Sequence, residues 1–105
     1  MAKIPDNIIE TIRKLVEEAG KNEIHITQAI LFGSYAQGTN HEFSDIDVAL
    51  VSEDFEGTRF FDNVKLMNTV LNVNSNIETH PYRPEDFTKD NPFVEEILQY
   101  GVRIV

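Results

Sequence analysis

Two apolar runs joined by a polar loop set the tightest limit on the fold. The first closes on Ala29-Ile30-Leu31-Phe32, a near-continuous run of the kind found in strands covered on both faces. In the second, Ile46, Val48 and Leu50 alternate with Asp45, Asp47 and Ala49, so residues 45–51 read as a strand with one strongly apolar face. Residues 33–44 between them are rich in Gly, Ser, Asn and Thr and read as a turn plus a loop. A link of about a dozen residues suits antiparallel neighbours, because a parallel crossover usually needs a full helix.

Other elements follow from spacing. Ile8, Ile12, Leu15, Val16 and Ala19 predict a helix over residues 5–19, with Pro5 in its first turn and Gly20 just past its end. The first strand is predicted over 24–32. Phe60, Val64, Met67 and Leu71 predict a second amphipathic helix with these side chains on its apolar face. Residues 77–82 read as a short strand, and 84–87 as one helical turn. Asn91-Pro92 reads as a cap and first-turn proline opening a last helix to Tyr100, which Gly101 ends; residues 102–105 then suit a final short strand. The order α, β, β, α, β, α, β predicts an α/β (α+β) fold: a mixed sheet with helices packed on it.

At 105 residues, with no linker, repeat or low-complexity stretch, the chain is expected to form a single domain over 1–105. It has no cysteine, which excludes disulfides and thiolate metal sites. No apolar run approaches the ~20 residues that span a bilayer. The N-terminus lacks the apolar segment of a secretory signal and reads as the start of a helix, so a cytoplasmic protein is expected. The formal charge of −9 repels a nucleic-acid backbone and argues against general nucleic-acid binding. Any phosphate must be held by local devices: backbone N–H groups, a divalent cation or a basic partner.

Gly33-Ser34 ends a buried strand, and a glycine there permits a sharp turn and close approach of a ligand. Ser34 is expected to cap the short segment that follows, whose first N–H groups favour an anion. The run 33–38 has the glycine spacing of a Walker A loop but lacks its Lys and Ser/Thr, so it is not one. Taken alone, Gly-Ser after a strand is an ordinary turn. Asp45 and Asp47 are two apart on a strand and share a face. Two carboxylates ~4 Å apart repel by about 4 kcal/mol at an effective dielectric near 20, which calls for a cation or a shared proton. Mg²⁺ takes hard oxygen ligands, one or two carboxylates completed by water and substrate phosphates. An isolated D-x-D is more often a solvated strand edge; the neighbouring Gly-Ser turn shifts the balance.

Glu78, His80 and Tyr82 share a face of the third strand, so Glu78 can meet the aspartates if that strand lies beside residues 45–51. His80 is a candidate for the acceptor side of a site. His25 and His41 lack partners at ligand spacing and read as structural or surface residues. Arg59, Lys65 and Arg83 are candidate triphosphate contacts, although surface charges of this kind are ordinary.

The run GSYAQGTNHEFSDIDVALV covers about a fifth of the chain and resembles the signature of the DNA polymerase β-like nucleotidyltransferase superfamily. The small size and the Ser44-Asp45-Ile46-Asp47 form resemble its minimal (MNT-type) branch, which often accompanies HEPN-domain proteins in toxin–antitoxin pairs. The resemblance implies that Gly33 and Ser34 hold a triphosphate and that Asp45 and Asp47 bind two Mg²⁺ ions. It makes Glu78 the third carboxylate, at a position usually written as Asp. It also implies in-line attack by a hydroxyl on the α-phosphorus of ATP or another NTP. No acceptor-binding domain accompanies this motif, so the acceptor is expected on a HEPN-type partner or a second subunit. Two alternatives stand beside it: a non-catalytic antitoxin with a vestigial site, and a transferase acting on a small molecule such as an antibiotic.

Overall fold

The computed structural model describes residues 4–41 and 44–105. Residues 1–3, part of the N-terminal stretch expected to start a helix, and positions 42–43 lie outside the described residues. Helix α1 spans Asp6–Lys21, β1 Gln28–Phe32, α2 Ser34–Gln37, β2 Ile46–Val51, α3 Arg59–Val73, β3 Ile77–Tyr82, α4 Pro92–Tyr100 and β4 Val102–Arg103. A 3₁₀ turn at Pro84–Asp86 precedes α4. The strands form one mixed sheet in the order β3-β2-β1-β4. β1 runs antiparallel to both β2 and β4, while β2 and β3 run parallel. The expected antiparallel pairing of the first two strands is present, and Glu78's strand does lie beside that of the aspartates.

The sheet has two unequal faces. On one, Ala29, Leu31, Val48 and Leu50 pack with Ile8, Ile12 and Leu15 of α1 and Leu66 of α3. On the other, Ile30 and Ala49 meet Ile97 of α4, with Phe32, Tyr82 and Phe87 around them. The candidate site lies on this second face, where α4 leaves the ends of β2 and β3 uncovered.

Several boundaries differ from the sequence reading. Helix α1 runs on to Lys21, taking Gly20 inside it, and its end is closed by the backbone N–H groups of Asn22 and Glu23, which donate to the carbonyls of Ala19 and Gly20. β1 begins at Gln28, not at 24. The segment before it turns away, Ile24 filling the core and His25 bonding Asp54, and pairing with β2 starts only at the Thr27 N–H to Val51. β4 stops at Arg103.

The largest departure concerns α3. The helix forms, but its Phe60, Val64, Met67 and Leu71 stripe faces outward, and Asp62, Leu66 and Thr69 are buried instead. Asp62 sets this roll: its carboxylate accepts from the backbone N–H groups of Glu56 (2.7 Å) and Gly57 (2.9 Å), tying the first turn to the preceding loop. Thr69 Oγ1 accepts from Asn22 Nδ2 at 3.0 Å, so the second polar inward position is also satisfied. Buried polar groups that find partners carry little penalty, which lets a polar stripe face the core.

Candidate active site

Strand register builds the centre of the site. In the parallel pair Asp47 lies opposite Glu78, and Ala49 opposite His80. One face of two neighbouring strands therefore carries Asp47, Glu78 and His80, whose ligand-capable atoms all lie within 4.8 Å of one another. On the other side of β2, Phe32 lies opposite Asp47, and Gly33 follows it. Gly33 adopts φ 75°, ψ −150°, a conformation essentially restricted to glycine. A Cβ built there would lie 2.5 Å from Asp47 Oδ2. The turn backbone and the carboxylate are thus in direct apposition.

Gly33 itself takes the N-cap position of α2, and no side chain caps that helix. This corrects the expectation that Ser34 acts as the cap: Ser34 is the first helical residue. The positive φ at Gly33 turns the chain so sharply out of β1 that the helix starts one residue sooner. The N–H groups of the first turn have no intrahelical acceptor in any helix and remain available to an anion.

Electrostatics mark Asp47. Burial, the charge of Glu78, a carboxyl–carboxyl hydrogen bond with Glu78 and the charge of Asp45 push its pKa up to about 6. Asp45 stands outside the close Asp47–Glu78–His80 group; it is exposed at the mouth of the site and acts on Asp47 through its charge. Like charges ~5 Å apart at an effective dielectric near 20 cost about 3 kcal/mol. A divalent cation removes that cost, and its preference for carboxylate oxygen fits the donors Asp47 and Glu78.

His80 is buried between the rings of Phe32 and Phe93, with centroids 4.8 and 5.9 Å away. Burial and the Arg59 charge push its pKa down, so the ring is neutral near pH 7. Arg59 Nη2 lies 3.2 Å from His80 Nδ1. A guanidinium can only donate, so Nδ1 accepts and the ring proton sits on Nε2. Nε2 is buried, has no hydrogen-bond partner, and faces Asp47 Oδ1 at 3.7 Å. The contact with Asp47 is therefore a neutral donor facing a carboxylate, not an ion pair. Nε2–H is placed to steady the Asp47 carboxylate and unsuited to ligate a cation.

The three basic residues singled out in the sequence separate clearly. Lys65 pairs with Glu56 at 3.4 Å, away from the site. Arg83 is held by Asp86 through two bonds of 2.7 and 3.1 Å. Arg59 has no carboxylate within 4.0 Å among the described residues and reaches His80 instead. A cavity of about 500 Å³ opens beside Arg59 and Arg83, lined also by Gly57, His80, Tyr82 and Asn91. His25 bonds Asp54 on the surface, and the His41 backbone N–H donates to Ser44 Oγ. The Arg59–His80 contact is the feature that sequence reasoning missed, since no periodicity links residues 59 and 80.

A family model for the nucleotidyltransferase domain matches residues 9–104. The chain belongs to the nucleotidyltransferase domain family. Solved structures agree on the fold. A toxin-antitoxin crystallised with AMP-PNP matches with TM-score 0.64 and 22% identity, over 92% of this chain and 72% of that one. A putative nucleotidyltransferase from Sulfolobus solfataricus matches with TM-score 0.65 and 17% identity, over 92% and 78%. A mutant of the toxin-antitoxin MntA-HpeT matches with TM-score 0.60 and 18% identity, over 89% and 71%. A comparison with curated proteins gives no match. For this nucleotidyltransferase domain, the mixed four-stranded sheet is the family's fold, and the acidic group on β2 and β3 is a candidate metal site. Among the described residues no helix is long and apolar enough to cross a membrane.

Proposed function

We propose that this nucleotidyltransferase domain moves a nucleoside monophosphate, AMP from ATP in the leading case, onto a hydroxyl of a partner protein. We further propose that the pair is a toxin–antitoxin system whose other member is a HEPN-domain protein, with residues 1–105 acting as one minimal domain. The observation that carries the reading is the apposition of Asp47 to Glu78 on one side and to the Gly33 backbone on the other. Two structural neighbours are toxin-antitoxins, one crystallised with AMP-PNP, which supports ATP and a protein partner.

In this reading Gly33 and Ser34 present backbone N–H groups to the β- and γ-phosphates. Asp45, Asp47 and Glu78 would hold two Mg²⁺ ions. Bound there, Mg²⁺ neutralises phosphate charge and lowers the pKa of the attacking hydroxyl. In-line displacement needs the nucleophile opposite the leaving group. The Gly33-Ser34 turn follows β1, whereas Glu78 lies on β3 at the sheet's edge. The acceptor therefore enters over β3, where the Arg59–His80 cavity opens. The acceptor oxygen bonds the α-phosphorus as the bond to the β-phosphate bridge breaks. The hydroxyl proton passes to Glu78, and pyrophosphate leaves. The His80 Nε2–H, which faces Asp47 Oδ1, steadies that carboxylate on the metal side of the site.

The test combines the protein, its candidate partner, Mg²⁺ and labelled ATP, and reads the mass of each chain. A gain of one nucleoside monophosphate on the partner supports the proposal. No gain, with neutralisation of the partner retained by an Asp45→Asn/Asp47→Asn double variant, leaves docking alone. Label appearing only on an added small-molecule acceptor would move the substrate class.

A further inference from the structure

The outward stripe of α3 is an unpartnered apolar face. Phe60 is 69% exposed, Phe61 56%, Val64 48%, Met67 53% and Leu71 62%. With ~150–250 Å² for a large apolar residue, these five expose on the order of 500 Å². That is near the upper end of what a monomer shows in one patch. Behind the stripe, a groove of about 300 Å³ runs between α3 and the edge strand β3, floored by Ile77 and Thr79.

Spacing specifies the shape of what covers it. Phe60, Val64, Met67 and Leu71 stand four, three and four residues apart, the alternation of a coiled-coil seam. Such a seam accepts another helix at a shallow crossing angle, side chains of one filling gaps of the other. We infer that α3 packs antiparallel against α3 of a second copy of this chain, forming a two-fold dimer.

Three observations favour the second copy over another occupant. A two-fold interface needs a self-complementary patch. With the axis between Val64 and Met67, Val64 of one copy meets Met67 of the other, and Phe60 meets Leu71, so large faces small along the seam. Next, the patch is free of negative charge on a chain of formal charge −9: α3 carries Arg59, Asp62 and Lys65 only, Asp62 is buried, and no charged residue occurs from Leu66 to Val73. Two acidic copies therefore meet at a helix face that carries no exposed acidic side chain. Finally, about 500 Å² from each copy totals about 1,000 Å², the lower bound for a specific interface, before the flanking groove is added.

Sedimentation equilibrium of the full chain, from low to high micromolar, tests this directly. The expected result is a concentration-dependent rise from the 12.0 kDa chain mass to twice that value. Val64→Glu and Met67→Glu lie on exposed positions and are expected to stay monomeric at every concentration with unchanged circular dichroism. The chain has no cysteine of its own, so introduced ones report geometry. A Phe60→Cys/Leu71→Cys double variant should oxidise to a covalent dimer, whereas Phe60→Cys alone should not, since the two copies of residue 60 then stand about 16 Å apart along the helices. Ready crosslinking by Phe60→Cys alone would overturn the antiparallel arrangement. A wild-type chain that stays monomeric at high micromolar overturns the dimer. If that monomer captures its toxin-type partner, and Val64→Glu abolishes capture, the face belongs to the other protein instead.

Discussion

Gly33 and Asp47 occupy space that only a glycine leaves free: a Cβ on the one would stand 2.5 Å from Oδ2 of the other. The pair joins the end of β1 to the middle of the candidate site and sets how close a phosphate on the turn can come to the carboxylates. Gly33→Ala must either rotate Asp47 away or push the turn out, and it also forces alanine to φ 75°. We expect a loss of about 1–3 kcal/mol in urea denaturation. Transfer to the partner should fall by more than the loss of folded protein explains.

Asp47 should make the metal-free protein pH-sensitive. Its pKa rises from 3.8 unfolded to about 6 folded, so the folded state binds the proton more tightly. Stability from this group is complete below pH ~4 and is lost as pH rises through ~6. Asp47→Asn removes the dependence. In EDTA at pH 7 the variant should be more stable than wild type, on the order of 1–2 kcal/mol once partial exposure is allowed for. Thermal melts at pH 4 and pH 7 check this, because the difference between the two proteins should vanish at the lower pH.

Glu78 is expected to matter for chemistry and little for folding. It lies exposed on the edge strand, and Glu78→Gln keeps its size. The variant should melt no lower than wild type, because it also removes the charge that faces Asp47. Transfer should drop by at least a hundredfold, the scale of losing a general base. Unchanged transfer would remove Glu78 from the site.

Arg59 is expected to act on the candidate site through its contact with His80. Arg59→Gln takes the charge away, and Arg59→Lys keeps the charge without the planar fork. In ¹⁵N spectra the wild-type ring should show its proton on Nε2, and Arg59→Gln should mix the tautomers. Nucleotide affinity should change little, while transfer falls about tenfold or more, in line with a lost oriented donor. A tautomer unaffected by Arg59→Gln would show that the 3.2 Å contact does not set the ring proton.

Much of the fold was legible because its signals are local. Alternation at residues 46–51 placed β2, Asn91-Pro92 placed the start of α4 with Asn91 accepting from Phe93 N, and the loop length gave the antiparallel β1–β2 pair. The reading failed where a local pattern had two structural solutions. The α3 stripe has the spacing of a core face, and helix periodicity alone cannot tell an inward stripe from one awaiting a partner. Asp62 decides between them through bonds to Glu56 and Gly57, and a buried carboxylate is not what an apolar pattern predicts.

By itself the sequence determined which residues share a strand face and where the Gly-Ser turn falls relative to the aspartates, because turn chemistry and period-two alternation depend on neighbours a few positions away. Only the tertiary structure decided that Asp47 lies level with Glu78, that Arg59 reaches His80, and that α3 turns its apolar side outward. Register between strands and the roll of a helix are fixed by contacts between segments distant along the chain, and no local pattern encodes them.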